Sequence, residues 1–138
     1  MSLFGGLAIS ASGLTAERLR MDVIAENLAN AESTRGADGQ PYRRKSVVLG
    51  AAGGSGASFS DVLAGVRVKG VVEDTGPGRR VYDPSHPDAD KQGFVTLPNV
   101  NTVTEMVDLI TATRGYEANI QAMNAAKTMF SRTLELLR

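Results

Sequence analysis

The chain has no cysteine, a single histidine and no net charge, with 15 Lys+Arg balanced by 15 Asp+Glu. Without thiols, neither a disulfide framework nor a thiolate metal site can form. The charges also cancel locally. The first 30 residues carry two cationic side chains against three acids, residues 31–100 nine against eight, and the last 38 four against four. Nucleic-acid binding needs a cationic excess on one face, so none is expected. No run approaches the ~18 consecutive apolar residues of a membrane span, which argues against direct insertion. Neither glycine-rich stretch precedes a Lys-Ser/Thr pair, so no P-loop is present. Proline is missing before Pro41, and glycine is missing between Gly13 and Gly36.

The apolar residues present follow a stride of seven at both ends. Leu7, Leu14, Met21 and Leu28 form one row, with Ala11, Ile24 and Ala31 at the half-steps. Leu109, Tyr116, Met123, Phe130 and Leu137 form another, with Met106, Ile120 and Leu134 between them. Such a stride keeps apolar groups on one helical seam. The fold class expected is therefore α+β: N- and C-terminal helices paired as a coiled-coil-like stalk, with a small β-rich middle domain. The expected divisions are 1–34, 35–100 and 101–138. The first helix should run from about Phe4 to about Asn30, its start weakened by Gly5, Gly6 and Gly13. Asn30 is the expected left-handed C-terminal cap. The second helix should begin at an N-cap Thr102, with Glu105 completing a capping box. Leu3 to Ile9 resemble a signal-peptide core, but no Lys or Arg precedes them, and the N-terminus is expected to be retained as structure.

In the middle, Val66-Arg67-Val68-Lys69 alternates as a half-buried strand, and Gly70 suggests a bulge. Tyr42–Leu49, Val81-Tyr82 and Phe94–Leu97 are weaker strand candidates. The Gly/Ala/Ser run at 50–58 has nothing to bury and should be mobile. With few large apolar residues, the middle should have a thin core.

Each helix carries a second row, Ile9, Ala16 and Val23 on the first and Gly115, Ala118, Ala122, Ala125 and Met129 on the second. Gly115 makes sense where another backbone approaches closely. Both rows imply neighbours from other copies or other proteins. The segment Asp83-Pro84-Ser85-His86-Pro87-Asp88-Ala89-Asp90 gathers the one histidine and three carboxylates. It reads as a proline-stiffened turn whose Asp and Ser side chains cap backbone groups. A calcium or transition-metal loop is the competing reading. No cofactor, metal or enzymatic activity is expected.

Ala25-Glu26-Asn27-Leu28-Ala29-Asn30, followed by Ser33-Thr34, resembles the N-terminal signature of bacterial flagellar axial proteins. Asn99-Val100-Asn101, Glu105-Met106-Val107 and Arg114-Gly115-Tyr116-Glu117-Ala118-Asn119 resemble the C-terminal signature of the same group. The His-Pro run, Pro98-Asn99-Val100-Asn101 and the short length most resemble the proximal-rod subunits of the basal body. The resemblance implies export through the flagellar type III apparatus without signal cleavage and assembly into a helical periplasmic rod that passes torque from motor to hook. Its implied partners are itself, the other proximal-rod and distal-rod subunits, the inner-membrane ring with its adaptor, and the export apparatus. Leu7, Leu14, Met21, Asn27, Leu28, Asn30, Asn101, Glu105, Arg114, Tyr116, Asn119, Ala122, Ala125 and Phe130 are the expected assembly-interface residues. A coiled-coil secretion adaptor or chaperone is the alternative, and a small metal-dependent hydrolase built on the His86 loop is a more distant one.

Overall fold

The computed structural model describes residues 3–36, 39–53 and 65–136. Its elements are α1 (Leu3–Ala29), β1 (Lys45–Ala51), β2 (Val66–Glu73), β3 (Arg79–Tyr82), β4 (Phe94–Leu97) and α2 (Thr102–Leu136). The two terminal helices pair, and the middle forms two antiparallel hairpins, β1 with β2 and β3 with β4. The expected α+β class is what the structure shows.

The helices run antiparallel. Gly13 lies against Asn119, Glu17 against Gly115, and Asn27 reaches Glu105. At Gly13 a Cβ would sit 3.0 Å from the Asn119 amide, so this glycine allows the helices to close rather than simply weakening α1. The expected seam is only partly correct. Leu109, Tyr116 and Met123 are half-buried, but the half-steps are Glu105, Ala112, Asn119 and Ala126 instead of Met106, Ile120 and Leu134. Met106, Ile120, Leu134 and Phe130 are exposed. Apolar character alone chose the wrong flank, because the close approach of two helices requires small or hydrogen-bonded residues there. Leu137 lies outside the described residues.

The second row of α1 does not wait for another molecule. Lys45, at the start of β1, is held by Asn27, and Val66, at the start of β2, donates its N–H to Ser12 Oγ at 3.0 Å. Fifteen helical residues span ~22 Å, and the seven of β1 span ~23 Å, so the hairpin lies along α1. It covers the face that carries Ala16 and Val23, both buried. Gly115 likewise meets the chain's own Glu17, where an added Cβ would be 3.3 Å from the carboxyl carbon. The expectation that these rows must be covered by other chains is thus corrected at Ile9, Ala16, Val23 and Gly115. Ala118, Ala122, Ala125 and Met129 remain exposed.

Val48 pairs with Gly70 and Leu49 with Val68, which leaves Lys69 as the bulge that Gly70 suggested. The Lys69 side chain folds over Gly50, and a Cβ there would have to displace the far end of that lysine. β1 itself extends through Gly50 and Ala51, so the Gly/Ala/Ser run is not all loop; its part from residue 54 lies outside the described residues. The middle's core is thin, with Val95 its one buried nonproline apolar residue among those described.

The turn between β3 and β4 is built from its own side chains. Asp83 Oδ1 accepts from the Ser85 N–H at 3.1 Å and the Ser85 hydroxyl at 2.6 Å. Asp90 Oδ1 accepts from the N–H groups of Gln92 and Phe94, and Gly93 closes the turn at φ 80°. His86 Nδ1 accepts from the Asp88 N–H at 3.1 Å. Bonds from Ser85 hold the Asp83 carboxyl below its ordinary range, and bonds from the Phe94 and Gln92 backbone do the same for Asp90. A carboxylate whose pKa falls on folding stabilises the fold above its unfolded value, and that contribution disappears as pH drops through the folded value. The Ser85 and Phe94 amides should therefore keep their protection from exchange through the ordinary aspartate value of about 3.9, and lose it only as pH falls through the lowered folded values. Amide-resolved NMR across that range checks this; unchanged protection factors at the acid end would contradict it.

Candidate functional site at the helix junction

The two largest side chains that are fully buried in the described structure are Asn27 and Glu105, each 1% exposed. Polar groups survive in such positions only when their hydrogen bonds are complete. Those of Asn27 are complete. Its amide N–H₂ donates to Lys45 O at 2.8 Å and to Glu105 Oε2 at 2.9 Å. Its oxygen accepts from the Lys45 N–H and the Tyr42 hydroxyl, both at 2.9 Å. Toward Lys45 the side-chain amide acts as a neighbouring strand would, giving one donor and one acceptor to the same residue. A single asparagine thus joins the last turns of α1, the start of β1 and the first turn of α2. Burial, with Glu26 second, raises the Tyr42 pKa, which keeps its hydroxyl a donor.

Glu105 Oε1 accepts from Arg44 Nε at 2.7 Å. From there charges alternate along the helix pair. Arg44 lies 3.7 Å from Asp108, Asp108 lies 3.7 Å from Arg20, and Arg20 lies 4.0 Å from Glu17. Glu17 Oε2 is buried and has no hydrogen-bond partner among the described residues. Beside this row Lys45 Nζ meets Glu26 at 2.7 Å, a hydrogen bond that raises the Lys45 pKa.

The remaining motif residues converge on the same junction. Asn99 Oδ1 accepts from the Arg44 N–H at 3.1 Å. Asn101, not Thr102, caps α2: its oxygen accepts from Val103 and Thr104 at 3.1 and 3.2 Å. The capping box therefore does not form, because Glu105 turns inward to Asn27 and Arg44. Asn30 is not left-handed either, since no non-glycine residue among those described has positive φ; its amide donates back to Glu26 O. Ser33 donates to Asn30 O, and Thr34 and Arg35 hold the two oxygens of Asp88 at 2.8 and 2.9 Å. The His-Pro turn is thereby tied to the end of α1. Sequence reasoning missed Tyr42 and Arg44, which stand outside any periodic pattern, and read Asp88 as a local cap of the His-Pro turn without its tie to Thr34 and Arg35.

Of the expected interface residues, Asn27, Glu105 and Asn119 lie inside this one chain. Leu7, Leu14, Met21, Leu28 and Tyr116 are half-buried along the pair, Asn30 and Asn101 sit at the junction, and Arg114, Ala122, Ala125 and Phe130 are on the outside. Among the described residues, no group of three or more His, Cys, Asp or Glu side chains is placed to hold a metal ion. The arrangement is suited to fixing elements against one another.

Asn27→Ala would strand four partners at a buried position, at ~1–3 kcal/mol for each group that water cannot reach. A loss of about 3 kcal/mol or more in unfolding free energy is expected, measured by urea denaturation of the full chain. Asn27→Asp should be no better, since it points an oxygen at two acceptors. A change under about 0.5 kcal/mol for either would show that the junction is not what holds these elements.

The junction is built from two sequence blocks, and both are recognised by models of known families. A model described as "Flagella basal body rod protein" matches residues 7–37, and one described as "Flagellar basal body rod FlgEFG protein C-terminal" matches residues 91–136. Over the whole chain, the flagellar basal-body rod protein FlgC of Bacillus subtilis is 46% identical, with 99% of each chain covered. That of Borreliella burgdorferi is 43% identical over 100% of this chain and 99% of its own. That of Aquifex aeolicus is 46% identical over 98% and 97%. With the α1 end and the α2 start carrying the matched blocks, and likeness extending across the middle, the chain belongs to the FlgC family of flagellar basal-body rod proteins.

Proposed function

We propose that this chain is a structural subunit of the proximal rod in the bacterial flagellar basal body, assembling helically through α1 and α2 to carry torque from motor to hook. The observation that carries this reading is the outer side of α2. Val103, Met106, Val107 and Ile110 are 68, 57, 57 and 56% exposed after the helix pair has closed. Full burial of such a side chain is worth ~1.5–3 kcal/mol, so this surface favours a neighbour strongly. A mechanical subunit also needs rigid junctions more than it needs a pocket, and the Asn27–Glu105–Arg44 network supplies one. Other rod subunits, the inner-membrane ring with its adaptor and the export apparatus are the partners that follow. Periplasmic location after export without signal cleavage belongs to the same proposal. No observation favours the adaptor or hydrolase readings.

The test is deletion and tagged complementation. The tagged chain should be recovered with purified basal bodies, and the null strain should lack a complete rod and not swim. Normal swimming without the chain would end the reading. Within it, Ala122→Leu with Ala125→Leu should block rod formation by overpacking while changing monomer stability by less than about 0.5 kcal/mol, because both positions are exposed in the isolated chain. Unimpaired swimming by the doubly substituted strain would mean that this face stays in water.

A further inference from the structure

Apart from Lys127, Arg132 and Glu135 in the exposed last part of α2, the charged residues of the helices divide into two sets. Arg20, Glu17, Asp108, Glu105 and Glu26 are engaged in ion pairs within the chain. Arg18, Asp22, Arg114 and Glu117 are exposed and, among the described residues, make no ion pair or side-chain hydrogen bond. They are not scattered. On α1, Arg18 and Asp22 sit on the face turned away from α2, between the exposed small residues Ala8, Ala11 and Thr15 and the exposed Ala25 and Ala29. On α2, Arg114 and Glu117 continue the outer face that begins with Val103, Met106 and Ile110. One face is small at its ends and charged at its centre, and the other is bulky and then charged.

We propose that α2 of a second copy of this chain docks on the outer face of α1, antiparallel, with Arg18 opposite Glu117 and Asp22 opposite Arg114. The proposal rests on the rod reading and gives its self-contact a register. The sign order selects the direction. Run antiparallel, both facing pairs are attractive; run parallel at the same spacing, Arg18 meets Arg114 and Asp22 meets Glu117, and both repel. The spacing fits as well, since four residues of α1 rise ~6 Å and three of α2 rise ~4.5 Å, a difference that long side chains absorb. The same register lays Ile110 over Ala25 and Met106 over Ala29, bulky groups against small ones. Because the two faces differ, each copy that joins leaves one of each open. The contact is heterologous and propagates, as a helical polymer requires.

The chain's lack of cysteine makes the register directly readable. Two differently tagged full-length copies, one Ala25→Cys and one Ile110→Cys, are expressed in the null strain and mildly oxidised. A disulfide joining the two tags is expected, and about tenfold less with Val103→Cys in place of Ile110→Cys, since one heptad of displacement (~10.5 Å) exceeds disulfide reach. Arg18→Glu alone should reduce the 25–110 product about tenfold, and Arg18→Glu with Glu117→Arg in every copy should restore it to within about twofold. Recovery of the chain with basal bodies tests the rod reading separately. Recovery without the 25–110 product, or without rescue by the paired reversal, overturns the register and leaves the rod reading intact. Absence from basal bodies overturns both.

Discussion

Four hydrogen bonds to one side-chain amide hold together elements that chain order keeps far apart. Asn27 is 18 residues from Lys45 and 78 from Glu105, yet its amide meets both. An apolar residue of similar size would leave the Lys45 backbone and the Oε2 oxygen of Glu105 without the partner that Asn27 supplies, in a site closed to water. A shorter polar one would not span the gap. The salt bridge from Arg44 to Glu105 then fixes the carboxylate that Asn27 needs, so the ionic and neutral parts of the network depend on each other. The position of the β1–β2 hairpin along α1 follows from that junction at one end and from Ser12 at the other.

The buried core is small, and several large apolar side chains lie outside it. Polar groups occupy the tightest part of the helix interface, whereas Val103, Met106, Val107 and Ile110 face outward. A monomer gains little from that arrangement. In the assembly proposed above, polar contacts define each subunit's internal geometry and the outward apolar area is left for neighbours. Small residues at Gly13 and Gly115 let the intrachain pair close tightly enough for the polar seam to work.

Periodicity made the two helices legible, since a stride of seven sustained over about 20 residues suits a helical seam and fits no strand. It did not reveal which flank of each stripe is inside. Met106 and Glu105 are sequence neighbours on adjacent flanks, and hydrophobicity favoured Met106; the partner groups that make Glu105 the buried one come from residues 27 and 44. Similarly, Asn101 and Thr102 are both good caps, and only the inward turn of Glu105 decides between them. The motif residues Asn27, Asn99, Asn101 and Glu105, expected as parts of an assembly interface where they were assigned a role, meet one another's elements at a junction inside the chain. The roles of Tyr42 and Arg44, and the reach of Asp88 to Thr34 and Arg35, were invisible because nothing local marks a side chain whose role is set by a distant element.

The separation between Asn27 and Glu105 also governs the order in which this molecule can form. Closing a flexible loop of that length costs on the order of 4 kcal/mol beyond the constant term, and no core contact of α1 with α2 can precede it. When the chain is made or delivered one end at a time, the first helix finds its mate only after nearly all of the sequence is available. Until then the β1–β2 hairpin is its one local companion. Closure of the helix pair is then the last step for a chain that emerges from its N-terminus.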